Sequence, residues 1–190
     1  MGKTGRSQTS KAVKRTINAV PLTLEVFERE REAIKQFDCG VSSLNQFIKD
    51  KRKCIGHLME RIAYSYLVYD GDTLVGYYCL SAGNIQATEA IRSQYKSWKA
   101  YAYYPAVVIG RFAIHVDFAH LGYGSSTMDY IKRQIAFEDL PMAIRYIAVD
   151  AINDESTVQF YERNSFIFLS SIDQDDNTRI MYYDVTHLFE

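Results

Sequence analysis

Apolar and polar positions alternate in two different rhythms along this chain, and the change of rhythm marks out its elements. From Val41 to about Ile62, the residues Leu44, Phe47, Ile48, Ile55, Leu58 and Met59 recur at roughly helical spacing and predict one or two helices. The stretch "YSYLVYDGDTLVGYYCLSAG" that follows is two runs rich in β-branched and aromatic residues, joined by Asp70-Gly71-Asp72. Asp-Gly between such runs is a strong hairpin signal. "LTLEVF", residues 22–27, alternates weakly and predicts a strand. "ATEAIRSQY" predicts a short helix, and Pro105 precedes a strand over "AVVIGRFAI". Past a glycine pair, Met128, Ile131 and Ile135 mark the buried face of another helix. "AIRYIAV" then predicts a strand, "DESTVQFYERN" a helix and "TRIMYYDV" a last strand. The order is mixed α/β, a hairpin first and a β–α–β–α segment later, with no internal repeat.

Composition narrows this to one compact domain. The 190 residues are 47% hydrophobic and 14% aromatic, which excludes a largely disordered chain. The net charge is −1, yet Lys3, Arg6, Lys11, Lys14 and Arg15 face no acid in the first twenty residues, so the remainder carries about −6. Residues 1–20 therefore read as a basic, mobile arm and residues 21–190 as the domain. The arm lacks the long apolar core of a signal peptide, and no apolar run reaches membrane-spanning length, so no membrane partner is expected. Cys39, Cys54 and Cys79 form no CxxC pair and leave an odd thiol in any disulfide scheme. That favours a reducing compartment, and the expected location is the cytoplasm.

Gly122 and Gly124 stand between a buried strand and a helix, where free helical N–H groups make a potential anion site. A phosphate-binding loop of the GxxxxGK[ST] type needs a lysine that is not there. The dinucleotide fingerprint GxGxxG meets Thr127 at its third glycine. The bland alternative is a tight strand-to-helix turn and nothing more.

Two further features decide between them. "IGRFAIHVDFAHLGYGSS" resembles the acetyl-CoA signature of the GNAT superfamily of N-acetyltransferases: a strand ending in apolar-Ala-apolar, a connection, then Q/R-x-x-G-x-G/A opening a helix. "NDESTVQFYERNSF" resembles the second GNAT signature, with its F-Y-x-x-x-G-F ending. The resemblance covers roughly residues 22–185. It implies a mixed, mostly antiparallel sheet that splays at the acetyl-CoA strand, with helices on both faces. It also implies that main-chain groups of Phe112, Ala113 and Ile114 hold the acetyl and pantetheine arm of acetyl-CoA. The pyrophosphate would lie on the amides of Leu121, Gly122, Tyr123, Gly124 and Ser125, with Asn153 touching the cosubstrate and Tyr161 protonating the departing thiolate. A bulky residue at Gly124 is then expected to block the pyrophosphate. The chain departs from the pattern at Ala119, where Gln or Arg is usual, and at Ser165, where Gly is. No metal is implied.

Acetyl transfer to nitrogen needs a neutral amine and a protonated leaving sulfur. An α-amine, with a pKa of about 7.7–8.0, is partly neutral near neutral pH, whereas a lysine at about 10.4 needs more help. A site with Tyr161 as general acid and no strong base suits the former. His115 and Asp117 are candidate bases, with a solvated-loop role as the alternative, and Arg111 is a candidate for touching the acceptor. "FDCGVSSLNQFIKDK", "LVGYYCLSAG" and "YYPAVVIGRFAI" resemble one branch in particular, the GNAT toxins of toxin–antitoxin pairs. That resemblance implies acetylation of the α-amine of aminoacyl-tRNA, a ribbon-helix-helix antitoxin as partner, and a structural Cys39. It leaves a homodimer open. A polyanionic acceptor wants basic surface. Lys49, Lys51, Arg52, Lys53, His57 and Arg61, with Lys96 and Lys99, supply one, or form a solvated helix face. Two alternatives remain: an acetyltransferase for a small amine or a protein N-terminus, and a GNAT fold that binds CoA without turnover.

Overall fold

A computed structural model of the chain describes residues 14–95, 101–138 and 140–189. Lys3, Arg6, Lys11, Lys96 and Lys99 lie outside the described residues. The elements run β1 (Asn18–Pro21), α1 (Leu24–Arg29), α2 (Arg31–Gln36), α3 (Ser42–Lys49), α4 (Lys51–Met59), β2 (Tyr64–Asp70), β3 (Thr73–Gln86), α5 (Glu89–Ser93), β4 (Tyr103–Ile114), α6 (Tyr123–Phe137), β5 (Tyr146–Ile152), α7 (Glu155–Arg163), β6 (Ile167–Phe168) and β7 (Thr178–Asp184).

The hairpin, α3 to α7, and the strands β4, β5 and β7 fall where the hydrophobic rhythm puts them, whereas α2 and the two-residue β6 lie where it predicts no element. One segment runs against the rhythm: "LTLEVF" is helical from Leu24 on, and the strand is the preceding Asn18–Pro21, paired with Tyr66–Tyr69 of β2. The cause is local. The Thr23 hydroxyl accepts the Val26 N–H, a cap that starts a helix where alternation alone suggests a strand. The sheet therefore begins inside the basic stretch.

The seven strands lie in the order β1-β2-β3-β4-β5-β7-β6. All neighbours are antiparallel except β4 and β5. Helices cover both faces. On one, α1–α4 close over Leu67, Tyr69, Tyr77 and Cys79. On the other, Met128, Ile131 and Ile135 of α6 and Tyr161 of α7 pack on Val68, Tyr78, Ile109, Ile147 and Val149. Among the described residues no helix is long and apolar enough to cross a membrane.

Two features of β4 position the site. The parallel pairing with β5 covers only Ala106–Ile109 against Tyr146–Val149. Beyond it β4 continues to Ile114 on β3, while β5 continues to Ile152 on β7, so the sheet opens between them. The register with β3 also slips at Gly110, where Leu80 faces Ile109 and Cys79 faces Arg111. A bulge adds one residue and exchanges the faces. Ile109, Phe112 and Ile114 consequently all pack on the α6 side, and Ala113 on the α1–α4 side.

Candidate active site

In the opening, no strand among the described residues pairs with the β5-facing edge of Phe112, Ala113 and Ile114. Phe112 meets Phe160 of α7 with ring centroids 5.5 Å apart. Phe160 in turn borders Tyr161, at 5.2 Å, and the start of α6. The parted strand, the glycine turn and the tyrosine thus converge on Phe160, a residue that the motif names without revealing this junction.

The turn into α6 is built on left-handed backbone at His120 (φ 60°) and Gly122 (φ 92°). Gly122 is the N-cap and offers no side chain to the first helical N–H groups, so those amides stay open to a ligand. Tyr123 pins the turn to the hairpin: its hydroxyl donates to Asp70 Oδ2 at 2.5 Å. Arg15 reaches the same turn from the far end of the sequence. Its Nε donates to the Leu121 carbonyl at 2.9 Å, its backbone N–H to Ser126 Oγ at 2.9 Å, and its guanidinium lies 5.1 Å from the centre of the Tyr123 ring. Among the described residues no acid is in ion-pair contact with it.

Gly124 also lies close to the protein's own side chains. A side chain there would meet Phe160 Cε2 at 3.0 Å and Ile114 Cγ1 at 3.9 Å. The missing Cβ leaves room for Phe160 of α7, so a bulky residue at Gly124 would press on the protein itself.

Tyr161 is 6% exposed and lies edge-on to Phe160 and to Phe166, the latter at 5.4 Å. Burial alone pushes its phenol well above the usual range, so it holds its proton at any physiological pH. Among the described residues no hydrogen-bond partner meets its hydroxyl. The helix that carries it is capped by Asp154, whose carboxylate accepts from Ser156 Oγ, Thr157 Oγ1 and the Thr157 N–H, holding its pKa at about 2. Ser165, at the family's glycine position, takes the left-handed backbone that a glycine would adopt freely (φ 63°).

Asn153 stands just past β5, but its amide donates to the carbonyls of Gln174 and Asp176 at 3.0 and 2.8 Å, bracing a loop. His115 follows β4 with its ring edge-on to Phe37 and Phe118. Its Nδ1 accepts the Asp117 N–H at 3.2 Å and lies 3.7 Å from the Asp117 carboxylate, so the two candidate bases are brought together. Asp117 is largely exposed, and His115 is half-buried. Arg111 lays its guanidinium 3.8 Å over the centre of the Phe47 ring, on the α1–α4 side.

The "FDCG" motif lies beside this end of β4, with the Asp38 carbonyl accepting the Val116 N–H at 2.8 Å. Asn45 locks it, donating to Asp38 Oδ1 and accepting from the Cys39 N–H. Burial raises the Cys39 thiol, the opposite of what a nucleophile needs. A cavity of about 780 Å³ opens here, lined by Asp38, Asn45, Lys49 and Lys53 among others.

Known structures share this architecture. A tyrosine-to-phenylalanine mutant of KacT aligns with TM-score 0.73 at 22% identity, over 92% of this chain and 98% of that one. AtaT complexed with acetyl-methionyl-tRNA aligns at 0.69 and 19%, over 92% and 98%. An AtaT mutant toxin bound to the C-terminus of the antitoxin AtaR and acetyl-CoA aligns at 0.65 and 19%, again over 92% and 98%. No family model matches the chain, and no curated protein does. The fold is the GNAT fold. Within it, the chain is similar in structure to the toxin AtaT and to KacT.

Proposed function

We propose that this chain is an acetyl-CoA-dependent N-acetyltransferase that acetylates the α-amine of aminoacyl-tRNA, a translation-blocking toxin of the cytoplasm held in check by a ribbon-helix-helix antitoxin. The observation that carries the reading is the parting of β4 from β5 near the turn into α6, with Phe160, the neighbour of buried Tyr161, touching both β4 and that turn. An extended ligand with an anionic end fits such a groove: main chain of Phe112, Ala113 and Ile114 along its length, and the amides of Leu121 to Ser125 with Arg15 at the phosphate end. Asn153, committed to its loop, contributes by shaping the rim.

Acetyl-CoA supplies the activated acyl group. The neutral amine forms the new C–N bond as the C–S bond breaks, the nitrogen gives up a proton, and Tyr161 delivers its own to the sulfur. His115, whose Nδ1 accepts the Asp117 N–H, is the candidate for taking the amine's proton into solvent. Arg111, stacked on Phe47 of α3, the helix that also carries Lys49, is the candidate contact for the nucleic-acid end of the acceptor. The acceptor assignment draws on the three sequence phrases and on the similarity to AtaT, seen with acetyl-methionyl-tRNA.

The test is acetyl transfer from labelled acetyl-CoA to a mixed pool of aminoacyl-tRNAs, beside small polyamines and peptides. Label on tRNA-borne amines supports the reading. Label only on polyamines or peptides reassigns the acceptor, and acetyl-CoA binding without transfer to any of them makes the chain a binding fold.

A further inference from the structure

Buried near Tyr161 is a charge that the proposed chemistry does not use. Lys132, on α6, is 5% exposed. Its Nζ donates to the Asn164 carbonyl at 2.5 Å, 4.0 Å from the centre of the Tyr183 ring and 5.5 Å from that of Phe166. We propose that Lys132 is a positioning residue for Tyr161: its ammonium fastens the C-terminal end of α7 to α6 and thereby fixes where the Tyr161 ring stands. The inference rests on the functional reading above.

The contacts form a short chain. Asn164 ends α7, and its own N–H bonds back to the carbonyls of Phe160, Tyr161 and Glu162. A cation at the last carbonyl of a helix also meets the negative end of the helix dipole. Phe166, beneath the ammonium, lies edge-on to Tyr161 at 5.4 Å, and its N–H donates to the Tyr161 carbonyl at 3.0 Å. Lys132 therefore touches the residue that closes the helix and the residue that backs the tyrosine ring.

α7 has nine residues and leaves through left-handed Ser165, so its end needs an external hold. The hold is expensive. Burial pulls the lysine down to about 8, and Asp129 opposes only part of that. A neutral side chain of similar length would fill the space without the desolvation cost, so overall stability gives little reason for an ammonium here. A fixed geometry at the end of α7 gives a better one.

Two readouts test this. In protein labelled with ¹³C at tyrosine Cζ, the Tyr161 resonance is identified by its loss in Tyr161→Phe. Lys132→Met should shift or broaden it, Lys132→Arg should largely restore it, and Ile135→Val, a core change on the same helix, should leave it in place. In acetyl transfer to aminoacyl-tRNA, Lys132→Met should lower kcat about tenfold or more, as misplacement of a reacting group does. KM for acetyl-CoA should stay within about twofold, and Lys132→Arg should recover most of the rate. Should Lys132→Met not fold, Lys132→Gln, neutral but still an N–H donor, takes its place. A Tyr161 resonance indifferent to Lys132, or an unchanged kcat, overturns the proposal. If the wild type transfers no acetyl group, the functional reading fails and the resonance still decides the role of Lys132.

Discussion

Tyr123 and Tyr161 sit one helix apart, each 6% exposed, each edge-on to a phenylalanine, yet they are opposites in chemistry. Tyr123 has spent its hydroxyl on Asp70, and that bond is the first cause of its raised pKa. Tyr161 keeps its proton through burial alone, with its hydroxyl untied among the described residues. A buried phenol that is tied down is an anchor. One whose hydroxyl is left untied keeps its donor free, which is what the proposed general acid needs.

The largest effect expected from this contrast is on rate. Tyr161→Phe should lower turnover by about 10²–10⁴-fold while the melting temperature barely moves, because the ring and its packing remain. Kinetics beside thermal melting checks both. A melting loss with an unchanged rate would erase the distinction between the two tyrosines.

Next comes the pH dependence of Lys132, which sharpens the account of how Tyr161 is held. Its folded pKa of about 8 lies below that of a free lysine. Between about 8 and 10.4 the unfolded chain binds the proton more, so stability should rise with pH there, by at most about 3 kcal/mol. Asp129 and Tyr183 also face this site, and subtracting the curve of Lys132→Met isolates the lysine. Denaturation at pH 7 and pH 10 measures it, and a difference that shrinks with rising pH would show the sign to be wrong.

Tyr123→Phe should do the reverse of Tyr161→Phe, costing about 1–2 kcal/mol by releasing Asp70 while leaving kcat close to wild type once acetyl-CoA saturates. Urea unfolding and saturation kinetics read the two halves. The smallest effect is on binding. Arg15→Ala should weaken acetyl-CoA by about fivefold, more at low salt than at high. Titration calorimetry at two ionic strengths tests it, and equal affinity in both proteins would remove Arg15 from the phosphate end.

What the sequence reveals depends on how local the cause is. Asp70-Gly71 predicts its hairpin because the turn chemistry lies within a few residues, and the helical faces of Met128, Ile131 and Ile135 are written at a fixed period. The GNAT signatures carry the fold and the turn into α6 for the same reason. "LTLEVF" misleads because its alternation suits a strand while one hydroxyl, that of Thr23, selects a helix. Four-residue β1, Asn-Ala-Val-Pro, is too short to show a period. Gly124 is legible as a glycine at a strand-to-helix turn, but its closeness to Phe160, thirty-six positions away, is not. Arg15 on Leu121 and Lys132 on Asn164 join distant segments, and no window along the chain brings either pair together.

The opening between β4 and β5 also has a mechanical side. The sheet is two panels, β1–β4 and β5–β7, stitched by four residue pairs and otherwise braced by helices. A ligand lying in the gap acts as a keystone, supplying rungs that the ladder lacks and loading both panels at once. Its binding energy then adds to the cohesion of the whole domain by mass action. Amide hydrogen exchange would register this as protection spreading from Phe112–Ile114 across the seam into β5, the two panels breathing separately when empty and as one when filled.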